Sequence, residues 1–241
     1  MISLPPVIGH RGAAALAPEN TLAGFRRAAA EGVAWVEFDT RLAADGPVVL
    51  HDPTLDRTSS GRGPVRALPV AALAGIDCGR WFGPAFAGET LPTLAQALAA
   101  IAELGLGANV ELKADPGLEA DLARDATEAV RAVGPAPGRL LFSSFSQPAL
   151  AALADLVPEI PRGLLVGELP PDWREAAERL GCVSVHPDHR KLTPAGARAV
   201  KDAGYLLAAY TVNAPAEARR LLSWGVDSII TDRPDLMRDL R

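Results

Sequence analysis

The chain has 241 residues, 49% of them hydrophobic and 22% charged, and a formal net charge of −5; that is enough apolar residue for one large domain with a substantial core. No apolar run approaches the ~18 residues a membrane span requires, which argues against stable membrane association. No Lys/Arg cluster exceeds a dipeptide, so the chain lacks the basic footprint expected of a nucleic-acid partner.

Short runs rich in Val, Ile and Leu recur, and most are followed by an Ala/Leu/Glu/Arg stretch whose apolar residues have helical spacing. The first strand is expected over 7–10 and ends in His10 and Arg11. A helix over 21–31 follows, with Asn20 or Thr21 as its N-cap. The second strand, 35–39, places Glu37 and Asp39 on one face, because strand side chains alternate with period two. More than fifty residues then precede the helix expected over 94–104, too many for a simple connection. This stretch, about 41–92, reads as a small insertion at one end of the domain. Asp45-Gly46 is a favoured two-residue hairpin turn, and a turn there pairs Arg41 with Leu50 and Thr40 with His51.

The strand over 109–113 carries Glu111 and Lys113 on one face and leads into a helix over 118–132. Strands over 140–144, 163–166, 182–186, 206–212 and 228–231 alternate with helices over 148–156, 172–180, 194–203, 215–224 and a short piece from 234. Several of these helices open with Pro in the first turn, where its missing N–H has no helical partner to lose. Eight strand–helix units in a chain of this length match an α/β (β/α)8 TIM barrel; an open doubly wound sheet shares the local pattern. Polar residues close nearly every strand, among them Ser143, Ser144, His186, Thr211, Asn213, Thr231 and Asp232. A barrel builds its site from all its strand ends, whereas an open sheet concentrates such residues at one switch point, so the barrel is favoured.

Glu37, Asp39 and Glu111 at one mouth would repel one another unless a positive charge sat between them. An all-oxygen set without a thiolate suits one hard divalent cation, Mg2+ or Ca2+. His10 and His51, two of only four histidines, each close a short apolar run. Their side-chain type titrates near neutrality, so the pair can divide general base and general acid work at a phosphodiester. Arg11 and Lys113 supply donors for an anionic phosphoryl group, or alternatively form salt bridges with the acids. In HPDH, His186 and His189 lack a third local ligand and read as turn or core residues, with His186 kept as a pocket candidate. Cys78 and Cys182 have no CxxC-type partner and read as reduced thiols of a cytoplasmic protein.

HRG at 10–12, PENT at 18–21, EFD at 37–39, HD at 51–52, NVELK at 109–113, FSSF at 142–145, YTVN at 210–213 and the ending GVDSIITDRP together resemble the glycerophosphodiester phosphodiesterase family, over nearly the whole chain. RWFGPAFAGETLPTL at 80–94 and LGCVSVHPDH at 180–189 make the chain most similar to the family's bacterial cytosolic branch. The resemblance implies a TIM barrel with an insertion after the second strand, and hydrolysis of glycerophosphodiesters such as glycerophosphocholine or glycerophosphoethanolamine to sn-glycerol 3-phosphate and an alcohol. It implies that His10 and His51 are the acid–base pair, that Glu37, Asp39 and Glu111 hold the cation, and that Arg11 and Lys113 bind phosphate. Phe145, Tyr210 and Asn213 would line the substrate pocket, with Tyr210 standing where the family often has Trp. Two other readings are weaker. A phospholipase acting on intact lipids would need a membrane-binding face, and no basic amphipathic helix is visible; a non-catalytic phosphodiester-binding protein would not need both histidines. The sequence is compatible with a monomer or a homodimer.

Overall fold

The computed structural model of the chain describes residues 2–136 and 138–240. Strands and helices follow in the order β1 (Val7–His10), α1 (Leu22–Ala30), β2 (Trp35–Leu42), β3 (Pro47–Val49), α2 (Val70–Leu73), α3 (Leu94–Glu103), β4 (Gly107–Leu112), α4 (Glu119–Val133), β5 (Leu140–Ser144), α5 (Gln147–Leu156), β6 (Arg162–Val166), α6 (Trp173–Arg179), β7 (Ser184–Pro187), α7 (Pro194–Asp202), β8 (Leu206–Ala209), α8 (Pro215–Ser223) and β9 (Ser228–Thr231). Local chemistry sets many of the helix starts. Thr21, Thr93, Ser146 and Thr193 each accept a hydrogen bond from a first-turn N–H, and Thr93 with Gln96 forms a reciprocal capping box. Proline occupies the first turn of α5, α7 and α8.

Parallel pairing runs β1, β2, β4, β5, β6, β7, β8, β9, and β9 pairs back onto β1. The sheet therefore closes, which separates the TIM barrel from the open alternative. Among the described residues, no helix is long and apolar enough to cross a membrane. β8 ends at Ala209, earlier than the expected 212. Beyond it the backbone keeps only an isolated bridge from Asp188 to Tyr210, and the Val212 N–H then turns to the Ile230 carbonyl.

Two apolar layers hold the barrel. The outer one joins outward strand residues such as Val36, Phe38, Val110 and Phe142 to the buried stripes of the helices, for example Leu122, Ala126 and Val130 of α4. The inner one, Leu4, Ile8, Trp35, Leu141, Ala208 and Ile230, fills the N-terminal half of the barrel. Trp35 fits there because its neighbour is Gly107, where a Cβ would approach the indole to 2.3 Å. Two residues further along the same inward positions, the side chains turn polar: His10, Glu37, Asn109 and Ser143.

Between β2 and α3 the chain leaves the barrel and builds a lobe with its own core of Ala43, Val48, Leu50, Leu55, Val65, Leu73, Cys78 and Leu91. The hairpin that opens it differs in register from the expected one. Thr40 pairs with Val49, Arg41 with Val48 and Leu42 with Pro47, so the loop is four residues, 43–46, rather than two. The lobe holds that loop open: Arg66 donates to the carbonyls of Ala43 and Ala44, Ala44 N–H donates to Leu68 O, and the Asp45 carboxylate accepts from Val70 N–H. The slip is two residues, so each side chain keeps its face.

Candidate active site

β1 sets His10 opposite Glu37, and β4 sets Asn109 beside Glu37 and Glu111 beside Asp39. Inward positions of adjacent parallel strands therefore stack three carboxylates and one imidazole at the C-terminal mouth. One oxygen from each of Glu37, Asp39 and Glu111 lies within 4.8 Å of the others, and all three residues are buried. Burial, together with the charges of Asp39 and Glu111, pushes Glu37 well above the ordinary carboxyl value. Burial and Asp39 push Glu111 up to about 7. Burial acts the same way on Asp39, but Arg11, Lys113, His51 and the Asn20 hydrogen bond outweigh it and hold its carboxyl at about 2. A buried trio of acids in which one is firmly ionised and two resist ionisation is short of positive charge. Glu37 Oε1 is buried without a hydrogen-bond partner among the described residues. The oxygen-only donor set, its spacing and this orphaned oxygen fit a hard divalent cation.

The two cations flank the trio. Lys113 Nζ lies 2.6 Å from Glu111 Oε1 and 3.3 Å from Asp39 Oδ1. Arg11 Nε lies 3.1 Å from Asp39 Oδ2, too poorly aligned for a hydrogen bond, while its Nη1 donates to Glu19 Oε1 at 2.8 Å. The Arg11 backbone is left-handed at φ 48° and its N–H donates to Glu37 Oε2 at 3.2 Å. Gly12 follows at φ 89°, where a Cβ would meet the Gly24 backbone at 2.6 Å. The HRG run is thus a tight turn that only glycine completes.

Each histidine has one ring nitrogen on a carboxylate. His10 Nδ1 lies 2.6 Å from Asp232 Oδ1, and its Nε2 faces Glu37 Oε2 at 3.8 Å. His51 Nδ1 lies 2.7 Å from Asp52 Oδ1. Burial lowers the pKa of His51, the charges of Arg11 and Lys113 push the same way, and Asp39 and the Asp52 hydrogen bond oppose them. A narrow cleft at the mouth is lined by His10, Glu37, Asn109, Glu111, Ser143, Phe145 and Tyr210, with the apolar Leu165 and Ile230 beside them. Phe145 is half exposed, meets Tyr210 edge to face with ring centres 6.0 Å apart, and lies under the Lys113 ammonium at 5.8 Å. Among the described residues, larger hollows on the outer surface, such as the one among Val130, Leu140, Ile160 and Pro161, contain no cluster of acids or imidazoles.

Of the sequence candidates, His10, Arg11, Glu37, Asp39, His51, Glu111, Lys113, Phe145 and Tyr210 come together at this mouth. Asn213 has a different place: its Nδ2 donates to Asp232 Oδ2 at 2.7 Å and its Oδ1 accepts from Thr231 and from the Asp232 N–H. One amide hydrogen and the carbonyl oxygen orient Asp232. His186 does not line the cleft. It is fully buried inside the barrel, bonded to Ser184 Oγ at 2.9 Å in the space left by Gly163, and burial pushes it down to about 4. His189 turns away to Glu217 at 3.3 Å, so HPDH forms no metal pair.

Three contributors escaped the sequence reading. Asp232 was visible as a polar strand end, but its pairing with His10 joins residues 222 positions apart. Of the two cap candidates, Asn20 and Thr21, it is Thr21 that caps the helix. Asn20, left-handed at φ 59°, instead donates to Asp39 Oδ2 at 2.8 Å and accepts from the Asp39 N–H at 3.2 Å. Arg57, a charged residue in the lobe without an obvious motif, grips Asp52 and Glu19.

The chain is similar to known proteins along nearly its whole length. Residues 10–236 match the model of the glycerophosphoryl diester phosphodiesterase family. A glycerophosphodiester phosphodiesterase of Caldanaerobacter subterraneus subsp. tengcongensis is 34% identical, with 97% of this chain and 96% of that protein covered. One from Bacillus subtilis is 31% identical, with coverage of 97% and 85%. The solved structure of an Oleispira antarctica phosphodiesterase in complex with the product sn-glycerol-3-phosphate is 39% identical and superposes with a TM-score of 0.96, covering 98% of this chain and 96% of that one. With a closed barrel, an acidic trio and paired imidazoles at its mouth, and relatives matched along nearly their whole length, this chain belongs to the glycerophosphoryl diester phosphodiesterase family, a family of phosphoric diester hydrolases.

Proposed function

We propose that the protein hydrolyses small glycerophosphodiesters, such as glycerophosphocholine and glycerophosphoethanolamine, to sn-glycerol 3-phosphate and an alcohol. The observation that carries this reading is the convergence of His10 with Glu37, Asp39 and Glu111 at one mouth, flanked by Arg11 and Lys113. Glu37, Asp39 and Glu111 hold one divalent cation, Mg2+ or Ca2+, and the chemistry that ion supplies when bound is charge neutralisation at a phosphoryl oxygen. Arg11 and Lys113 bind the remaining phosphoryl oxygens, whose negative charge spreads as the ester bond breaks.

The two imidazoles move the protons. The attacking oxygen, from water or from the glycerol hydroxyl beside the phosphate, gives its proton to one ring as the new P–O bond forms. The other ring, protonated, gives its proton to the alcohol oxygen as the old P–O bond breaks. When the glycerol hydroxyl attacks, water opens the resulting cyclic phosphate by the same exchange run in reverse. Asp232 and Asp52 hold the Nδ1 positions, so each ring works through Nε2. Phe145 and Tyr210 form the aromatic wall against which the substrate packs. Two buried, free cysteines support a reducing, cytoplasmic setting.

The test is release of glycerol 3-phosphate from both diesters, with and without chelator, by the wild type and His10→Ala. Release that chelator abolishes and His10→Ala reduces by about 10^2-fold or more is expected. Full activity in His10→Ala would remove the histidine assignment, and full activity in chelator would remove the cation. Absence of product from any soluble diester would remove the substrate class.

A further inference from the structure

The two imidazoles ride on different parts of the molecule. His10 ends a barrel strand, whereas His51 follows the first hairpin of the lobe, which has a separate apolar core. Their relative placement therefore depends on contacts across the seam between lobe and barrel. The backbone of His51 is held there by Arg41, whose Nε donates to its carbonyl at 2.7 Å. The ring is held by Asp52 alone at Nδ1, and the hydrogen bonds of the Asp52 carboxylate go only to His51 and Arg57 among the described residues.

Arg57 uses both edges of its guanidinium. Nε and Nη2 donate to the two oxygens of Asp52 at 2.7 and 3.0 Å, while Nη1 and Nη2 donate to the two oxygens of Glu19 at 2.8 Å each. Glu19 belongs to the barrel's β1–α1 connection and also accepts from Arg11 Nη1 at 2.8 Å. Charges alternate along the line Arg11, Glu19, Arg57, Asp52, His51, and the line crosses the seam at Arg57. Leu55, two residues earlier, is fully buried in the lobe core and gives Arg57 a rigid base. A planar fork bonded at two edges fixes the plane of each carboxylate, which a lysine's point charge cannot do. The Arg57 side chain is 46% exposed, and exposed ion pairs contribute little to stability.

We propose that Arg57, braced by Glu19, is a positioning residue that sets the orientation of the His51 ring relative to His10. The proposal rests on the acid–base reading of His51 given above. Arg57 bonds to neither His10 nor the acidic trio; it reaches the site through Asp52 and His51 on one side and through Glu19 and Arg11 on the other, and only the first route is lost in His51→Ala.

The test measures glycerol 3-phosphate release by the full chain carrying Arg57→Ala, Arg57→Lys, His51→Ala, or both alanines. Arg57→Ala is expected to lower kcat by about 10–100-fold with KM within about twofold, the size of loss that a misplaced reacting group causes. Arg57→Lys stays within a few-fold of the alanine variant, and added guanidinium restores part of the activity of Arg57→Ala but none of that of His51→Ala. In the His51→Ala background, Arg57→Ala has no further effect, because the group it orients is gone. Wild-type kcat in Arg57→Ala beside a crippled His51→Ala overturns the positioning proposal and leaves the acid–base reading standing. An equal loss from Arg57→Ala in both backgrounds also overturns it, by showing a general structural role. Full activity in His51→Ala sinks the acid–base reading itself.

Discussion

Replacing Glu111 by Gln tests the acidic trio by stability as well as by activity. Two unit charges within 4.8 Å of one another repel by at least about 3 kcal/mol at an effective dielectric constant of about 20. The rise of Glu111 from 4.5 to about 7 corresponds to a similar figure, about 3 kcal/mol. The folded value lies above the unfolded one, so the stability this carboxyl contributes is complete below pH 4.5 and is lost as pH rises through about 7. Glu37, raised for the same reasons, acts with the same sign. In chelator near pH 8, Glu111→Gln is expected to melt about 6–12 °C above the wild type, given about 2–4 °C per kcal/mol in a chain of this size. Added Mg2+ or Ca2+ should raise the melting point of the wild type and raise that of the variant far less, since one ligand is gone. Thermal unfolding followed by circular dichroism from pH 5 to 9, with and without cation, reads all of this. A variant that melts below the wild type in chelator at pH 8, or that keeps the full cation-induced rise, would refute the idea that the trio is a destabilised site awaiting a positive charge.

Asp232→Asn leaves the shape of the site but removes the carboxylate that fixes the His10 tautomer at Nδ1, so steady-state assays should show kcat reduced by about 10^2–10^4-fold with little change in KM; an unchanged kcat would remove Asp232 from the mechanism. Asn20→Ala takes two buried hydrogen bonds from Asp39 and should weaken cation binding by about 10–100-fold in titration calorimetry, the usual effect of losing an outer-shell partner. Cation binding near pH 7 should release at least roughly half a proton, because Glu111 is about half protonated there without the ion. Calorimetry in buffers of different ionisation enthalpy measures that release, and a binding enthalpy independent of buffer would contradict it.

Within the proposed catalytic mouth, the recurrent feature is a carboxylate behind each nitrogen given a role: Asp232 behind His10, Asp52 behind His51, Glu111 and Asp39 behind Lys113. Such partners fix tautomer and direction, and the cations proposed to bind phosphate, Arg11 and Lys113, are engaged in ion pairs with the acids. An ion pair at rest and phosphate binding in the complex are compatible uses of the same nitrogen, since Arg11 and Lys113 carry several donors each.

The strands, their inward faces and most of the residues that gather at the mouth were legible in the sequence, because period-two alternation is a local property. Glu37 and Asp39 had to share a face, as did Glu111 and Lys113, whatever the rest of the chain did. Motif resemblance then tied His10 and His51 to these acids. Tertiary structure decided which strand ends meet. Closure of β9 onto β1 is what brings Asp232 to His10, and no spacing within either segment encodes it. Lobe contacts with residues 43–46 decided the hairpin loop against the local preference for Asp-Gly, just as the turn geometry at Asn20 sent its amide to Asp39 rather than to a helix cap. In each case the local signal states what a segment can do, and long-range contacts, through hydrogen bonds formed only in the folded barrel, select what it does.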